Sequence, residues 1–116
     1  MKDSKEDDIS ELQIKVTAKS LVDKSKPAAI ILAKIYQTSN KHEILATKDI
    51  ITLALEDVRR LYKNVVPRSL LYHLRSLEKA NLVEPIKPLG KERPTYWKLT
   101  ETGKKVAEVI LQELEM

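Results

Sequence analysis

The sequence predicts a mainly α fold carrying one small β-hairpin, and three observations within residues 65–103 predict it. Leu70, Leu74 and Leu77 recur at i, i+4 and i+7, the spacing of one apolar stripe on a helix. Arg68, Tyr72, Arg75 and Lys79 recur at i, i+4, i+7 and i+11, and at about 100° per residue this set centres opposite the leucines. Two short strands follow, Leu82–Ile86 and Thr95–Leu99, around a turn punctuated by Pro88, Gly90 and Pro94. A helix held down by leucines, basic on its outer side and followed by a basic hairpin, is the pattern of a winged helix-turn-helix.

The remaining elements fit that frame in chain order. Residues 1–8 are charged and mostly acidic, and are expected as a flexible acidic tail before a domain spanning residues 9–116. Residues 9–22 fit two patterns. Leu12, Ile14, Val16 and Ala18 alternate like a strand, whereas Ile9, Leu12 and Val16 recur at i, i+3 and i+7 like a helix. Asp8 followed by Glu11 resembles a capping arrangement, which tips the reading slightly toward helix. Pro27 suits the first turn of the next helix, where its missing N–H is not needed. Ile30, Ile31, Leu32, Ile35 and Tyr36 make that helix apolar over a wide arc, so it is expected at the centre; Ser39 to His42 end it.

Ile44 and Leu45 read as a first short strand, and the Thr47 hydroxyl as the cap of a third helix. Ile51, Leu55, Val58 and Tyr62 form its stripe, with a break near Glu56 and Asp57 as the alternative to one long helix. Asn64 is expected in the following turn, because Asn tolerates positive φ. Pro67 opens the basic helix, which runs to about Ala80, and Asn81 closes it in the left-handed conformation. Pro85 marks its strand as an edge, and Thr100 caps a last helix reaching about Leu114. Val106, Val109 and Ile110 form one stripe on it, with Ala107, Leu111 and Leu114 beside them. Together these are broader than one domain face needs, which points to a partner helix in a homodimer; burial of both stripes under residues 9–22 is the competing explanation.

At 116 residues the chain is sized for one domain, and without Phe its core must rest on Leu, Ile, Val and Trp97. The absence of cysteine excludes disulfides and thiolate metal sites. No apolar run approaches the roughly 18–20 residues that span a membrane. The charged N-terminus lacks the apolar segment of a secretory signal, so the expectation is a cytoplasmic protein. Net charge is +4, but residues 59–98 hold ten basic residues against three acidic ones. Positive charge concentrated on one motif is the footprint expected for a phosphate backbone.

NVVPRSLLYHLRSLEKANLV resembles the helix-turn-helix of winged-helix transcription regulators of the ArsR, PadR and MarR kind, many of them archaeal. YWKLTETGKKV resembles their second wing strand and the start of the last helix, and LVDKSKPAAIILAKI an early stretch of ArsR-like chains. Asn81 stands where such proteins usually have Gly. The resemblance implies DNA binding and dimerisation through terminal helices. The cysteines and histidine clusters of metal-sensing members are missing, so metal sensing is not implied.

In a helix-turn-helix the second helix enters the major groove and the first crosses the backbone. Arginine suits bidentate contact with guanine, while lysine and tyrosine reach phosphates or base edges. The expected groove-facing set on helix 67–80 is Arg68, Ser69, Tyr72, Arg75 and Ser76, with Lys79 on the same stripe and His73 at its side, against DNA or the wing. Lys87, Lys91 and Arg93 on a wing of about residues 86–96 are placed on the flanking groove, and Lys48 on a phosphate. Arg59, Arg60 and Lys63 fit either the DNA face or a solvated one. The expected dimer contacts are Val106, Val109, Ile110, Leu111 and Leu114.

Catalysis finds no support, since His42 and His73 fall on different elements and there is no Cys nucleophile or Gly-rich phosphate loop; no metal or cofactor is expected. The reading is therefore a dimeric, sequence-specific regulator of double-stranded DNA. A protein-contact module of a transcription or replication assembly is the alternative, for which an exposed Leu71 beside the basic stripe would speak; an RNA-binding winged helix comes third.

Overall fold

Periodicity, caps and turn residues resolve into five helices and three strands in a computed structural model, which describes the backbone of residues 2–90 and 95–114 and the side chains of residues 11–90 and 95–114. The elements are α1 (Lys2–Lys24), α2 (Lys26–Ser39), β1 (Leu45–Ala46), α3 (Thr47–Leu61), α4 (Pro67–Lys79), β2 (Val83–Ile86), β3 (Tyr96–Leu99) and α5 (Glu101–Leu114). The fold is mainly α with a small sheet, as expected.

Residues 9–22 are helical, and α1 starts early enough to take in residues 2–8, the stretch expected as a tail. α1 turns Ala18 fully inward, with Ile14, Leu21 and Val22 packed beside it, and packs against α5 and α2. The Leu12 and Val16 stripe that suggested a helix faces outward instead. Ser25 breaks the chain direction, and Pro27 then sits in the first turn of α2. Ala28 to Ala33 and Ile35 of α2 are all buried, so this helix is the centre onto which the other four fold.

α3 runs unbroken through Glu56 and Asp57. Its buried residues are Ile50, Ala54 and Val58. The expected stripe is thus rotated by one position: Ile51 and Leu55 are half-buried at its margin, and Tyr62 lies past the helix end and is exposed. The half-buried pair Lys34–Asp57 (2.6 Å) ties α2 to α3.

The strands form one antiparallel sheet in the order β1-β3-β2, which leaves Pro85 on an edge strand where its missing N–H costs no ladder bond. β1 is Leu45–Ala46 rather than Ile44–Leu45, pairing Leu45 with Trp97 and Ala46 with Tyr96.

Thr47 does not cap α3. The cap position falls on Ala46, and the Thr47 hydroxyl meets the wing instead. It accepts the Trp97 indole N–H at 2.7 Å and lies 3.2 Å from the Thr95 carbonyl, to which the Thr47 amide also donates at 2.9 Å. The base of the hairpin is thereby fastened to the start of α3. Thr47→Val keeps the shape but strands the indole N–H of a buried tryptophan, and is expected to cost about 1–3 kcal/mol in urea denaturation.

The end of α4 is fixed by backbone chemistry. Asn81 has φ 62°, the left-handed region it was expected to occupy. Its N–H donates to Glu78 (2.9 Å) and that of Leu82 to Leu77 (3.0 Å), which closes the last turn as a Schellman motif. Leu77 and Leu82 are both buried at this corner. Thr100 caps α5 as expected, its hydroxyl accepting the Gly103 N–H at 2.9 Å.

Candidate nucleic-acid interface

α4 separates its two faces cleanly. Leu70, Leu74 and Leu77 are buried, and each stabilises the domain by roughly 1.5–3 kcal/mol through burial alone. Arg68, Ser69, Arg75, Ser76 and Lys79 are exposed, and Tyr72 between them is 75% exposed, unusual for an aromatic in mid-helix. Ser76 bonds only to its own helix, at the Tyr72 carbonyl.

Among the described residues no carboxylate pairs with Arg68, Arg75 or Lys79, whereas Lys34, Arg60, Lys98 and Lys104 each have an acidic partner. Glu78 is the one acid on α4, and it is half-buried. The helix opens on Pro67 with no acid in its first turn and no side-chain cap at Val66. Its positive dipole end is therefore not neutralised, which favours an anion there.

His73 is half-buried and faces a hollow at the α1–α2 junction, lined by Asp23, Lys24, Lys26 and Tyr62 among others. Burial lowers the pKa of its imidazole from the ordinary histidine value, favouring the neutral form. Leu71, which would have favoured a protein partner if exposed, is half-buried and packed on the core.

β2 follows α4 directly and packs on it through a corner where Leu77, Leu82 and Val83 are buried. Lys87 is exposed at the exit of β2, and Gly90 takes φ 79° in the connecting turn. Lys91 and Arg93 lie outside the described residues. Lys48 is exposed in the first turn of α3, next to the Thr47 contacts with the hairpin base. The hairpin base is thus fastened to the start of α3, from a distant part of the chain, while β2 follows directly after α4.

The expected dimer residues divide. Val106 and Ile110 are fully buried within the single chain, together with Ala107, because α1 and α2 close over that face of α5. Val109, Leu111 and Leu114 are half-buried at its margins. On α1, a helix also expected to serve dimerisation, Leu12 (66%) and Val16 (60%) are exposed.

No helix among the described residues is long and apolar enough to cross a membrane, and no cluster of metal-binding side chains occurs among them. No family model matches the chain, and comparison with curated proteins finds no match. Two solved structures are similar. SSV1 F-93 is 25% identical with a TM-score of 0.53, over 77% of this chain and 86% of that one. NadR, solved in complex with 4-hydroxyphenylacetate, is 20% identical with a TM-score of 0.56, over 96% of this chain and 72% of that one. Helix order, wing and both neighbours agree that the chain has the winged-helix fold.

Proposed function

We propose that this chain is a sequence-specific regulator that binds double-stranded DNA, with α4 in the major groove and the hairpin on the flanking groove. The observation that carries the reading is the outer face of α4: arginines and a lysine without acidic partners, around an exposed tyrosine, on a helix whose N-terminus is free of acid. Arg68 and Arg75 read base edges, Ser69, Tyr72 and Ser76 contact bases or backbone, and Lys79, Lys48 and Lys87 meet phosphates. Lys91 and Arg93 join the wing contacts on the strength of the sequence. The winged-helix neighbours support DNA binding as the use of this surface. Selection of bound molecules from random duplex DNA tests the reading. It is expected to enrich one motif; recovery of the input distribution contradicts sequence-specific binding.

The protein acts as a homodimer in this reading, with α1 as its main contact and Val109, Leu111 and Leu114 at the edge. Leu12 and Val16, one turn apart on the side of α1 away from Ala18, are apolar surface that the chain itself does not cover. A two-fold dimer presents two α4 helices to a palindromic site. Light scattering at micromolar concentration is expected to give twice the chain mass, and Leu12→Glu with Val16→Glu the single mass. A monomeric wild type sinks this part of the proposal.

A further inference from the structure

Arg59 and Arg60 are equivalent in sequence and separate in the structure. Arg60 pairs with Glu56 (3.1 Å) and Asp57 (3.5 Å), an ion-pair cluster on the outside of α3. Arg59 has no carboxylate partner among the described residues. Its Nε–H donates to the Val65 carbonyl at 3.2 Å, six residues on. Val65 lies in the α3–α4 turn, two residues before Pro67 opens the basic helix.

The Val65 side chain packs against the core and the Ser69 amide donates to the Val66 carbonyl at 3.0 Å, but the hydrogen bonds within the turn itself are sparse. The Val65 amide reaches the Tyr62 carbonyl at 3.3 Å, near the outer limit of a useful bond. Asn64 does not take the left-handed conformation that would lock a tight turn; among non-glycine described residues only Asn81 has positive φ. Val66 offers no side-chain cap, and Pro67 has no N–H. Among the described residues, the side-chain hydrogen bond to the backbone of the turn comes from Arg59, beside the core packing of Val65.

We propose that Arg59 is a positioning residue for DNA recognition: its Nε–H clamps the α3–α4 turn at Val65 and so sets the angle at which α4 presents Arg68 and Tyr72. The inference rests on the DNA-binding reading and adds a residue that need not touch a base. Lysine retains the charge but has no donor at the branch of a planar fork, so Arg59→Lys removes the clamp and keeps the electrostatics.

The test compares wild type and Arg59→Lys on a duplex selected by the wild type and on a scrambled duplex of equal composition, with melting temperatures recorded. Arg59→Lys is expected to bind the selected duplex about five- to tenfold more weakly, the scale of one exposed intramolecular hydrogen bond. Binding to the scrambled duplex stays within about twofold, because nonspecific affinity follows phosphate neutralisation. Equal affinity of the two proteins for the selected duplex overturns the proposal, and so does an equal loss on both duplexes. If the wild type binds no duplex, the DNA reading has failed, and hydrogen exchange in the free protein judges the clamp alone. The clamp requires a slowly exchanging Arg59 Nε–H and faster amide exchange over residues 65–69 in Arg59→Lys; unchanged exchange there rejects it.

Discussion

Arg68→Ala and Arg75→Ala are each expected to weaken binding to a selected duplex by about 1–3 kcal/mol, the range for a bidentate arginine–guanine contact. Both side chains project from the face of α4 opposite three buried leucines, so neither substitution disturbs the core. The loss should therefore appear in affinity and not in melting temperature. Each substitution should also relax base preference at one position of the site, whereas removing a phosphate contact such as Lys79 weakens all sequences alike. A gel-shift titration in which both variants match the wild type would take α4 out of the groove. The two arginines lie seven positions apart on one helix face, about 10 Å along its axis, so they address base pairs about three steps apart and the losses in the double variant should be close to additive.

Gly103→Ala is expected to be the most damaging small substitution in the chain. A Cβ at this position would lie 1.9 Å from the Leu82 carbonyl oxygen and 2.9 Å from its carbon. That carbonyl is already engaged, accepting the Thr100 amide at 3.1 Å with the Thr100 hydroxyl 3.2 Å away. The obstacle is backbone, so it cannot swing aside as a side-chain tip would. Either the first turn of α5 lifts or the Schellman corner after α4 opens, and both displace the hairpin from the basic helix. Overpacking of this kind costs typically 1–3 kcal/mol and occasionally more. Urea denaturation should show a loss at the upper end of that range, with Gly103→Ala binding duplex DNA more weakly as a consequence. A variant as stable as the wild type would mean that the α5–Leu82 approach is looser than the structure has it.

The elements behind these substitutions differ in how far they are legible in the sequence. The α4 face could be read because both of its determinants are local: leucines and cations recur at helical spacing within one segment, and Pro67 and Asn81 bound it through their own backbone preferences. Thr100 could be read as a cap for the same reason. Thr47 was misread because a hydroxyl before a helix is ordinarily a cap, and the competing indole comes from Trp97, fifty positions away in the chain. The inward face of α1 was not legible, since that helix carries apolar residues on two sides and only packing against α5 decides between them. Val106 and Ile110 were read as partner contacts for the same reason: the width of the α5 stripe does not say whether α1 covers it. The different fates of Arg59 and Arg60 depend on where the Val65 carbonyl points, a backbone detail without a sequence signature. Tertiary contacts thus decided where sequence offered two equal choices, and local chemistry decided elsewhere.

The central claim is that the unpaired basic face of α4, with the wing beside it, meets a DNA backbone. The salt dependence of duplex binding tests it most directly. Neutralising phosphates releases counterions, and log K falls against log salt with a slope of about −0.9 per phosphate. Lys48, Lys79 and Lys87, with Lys91 and Arg93 of the wing, predict a slope of about −4 to −5 per chain. Lys79→Ala should make it shallower by about one unit. A flat salt profile, or no duplex binding even at low salt, would contradict the account.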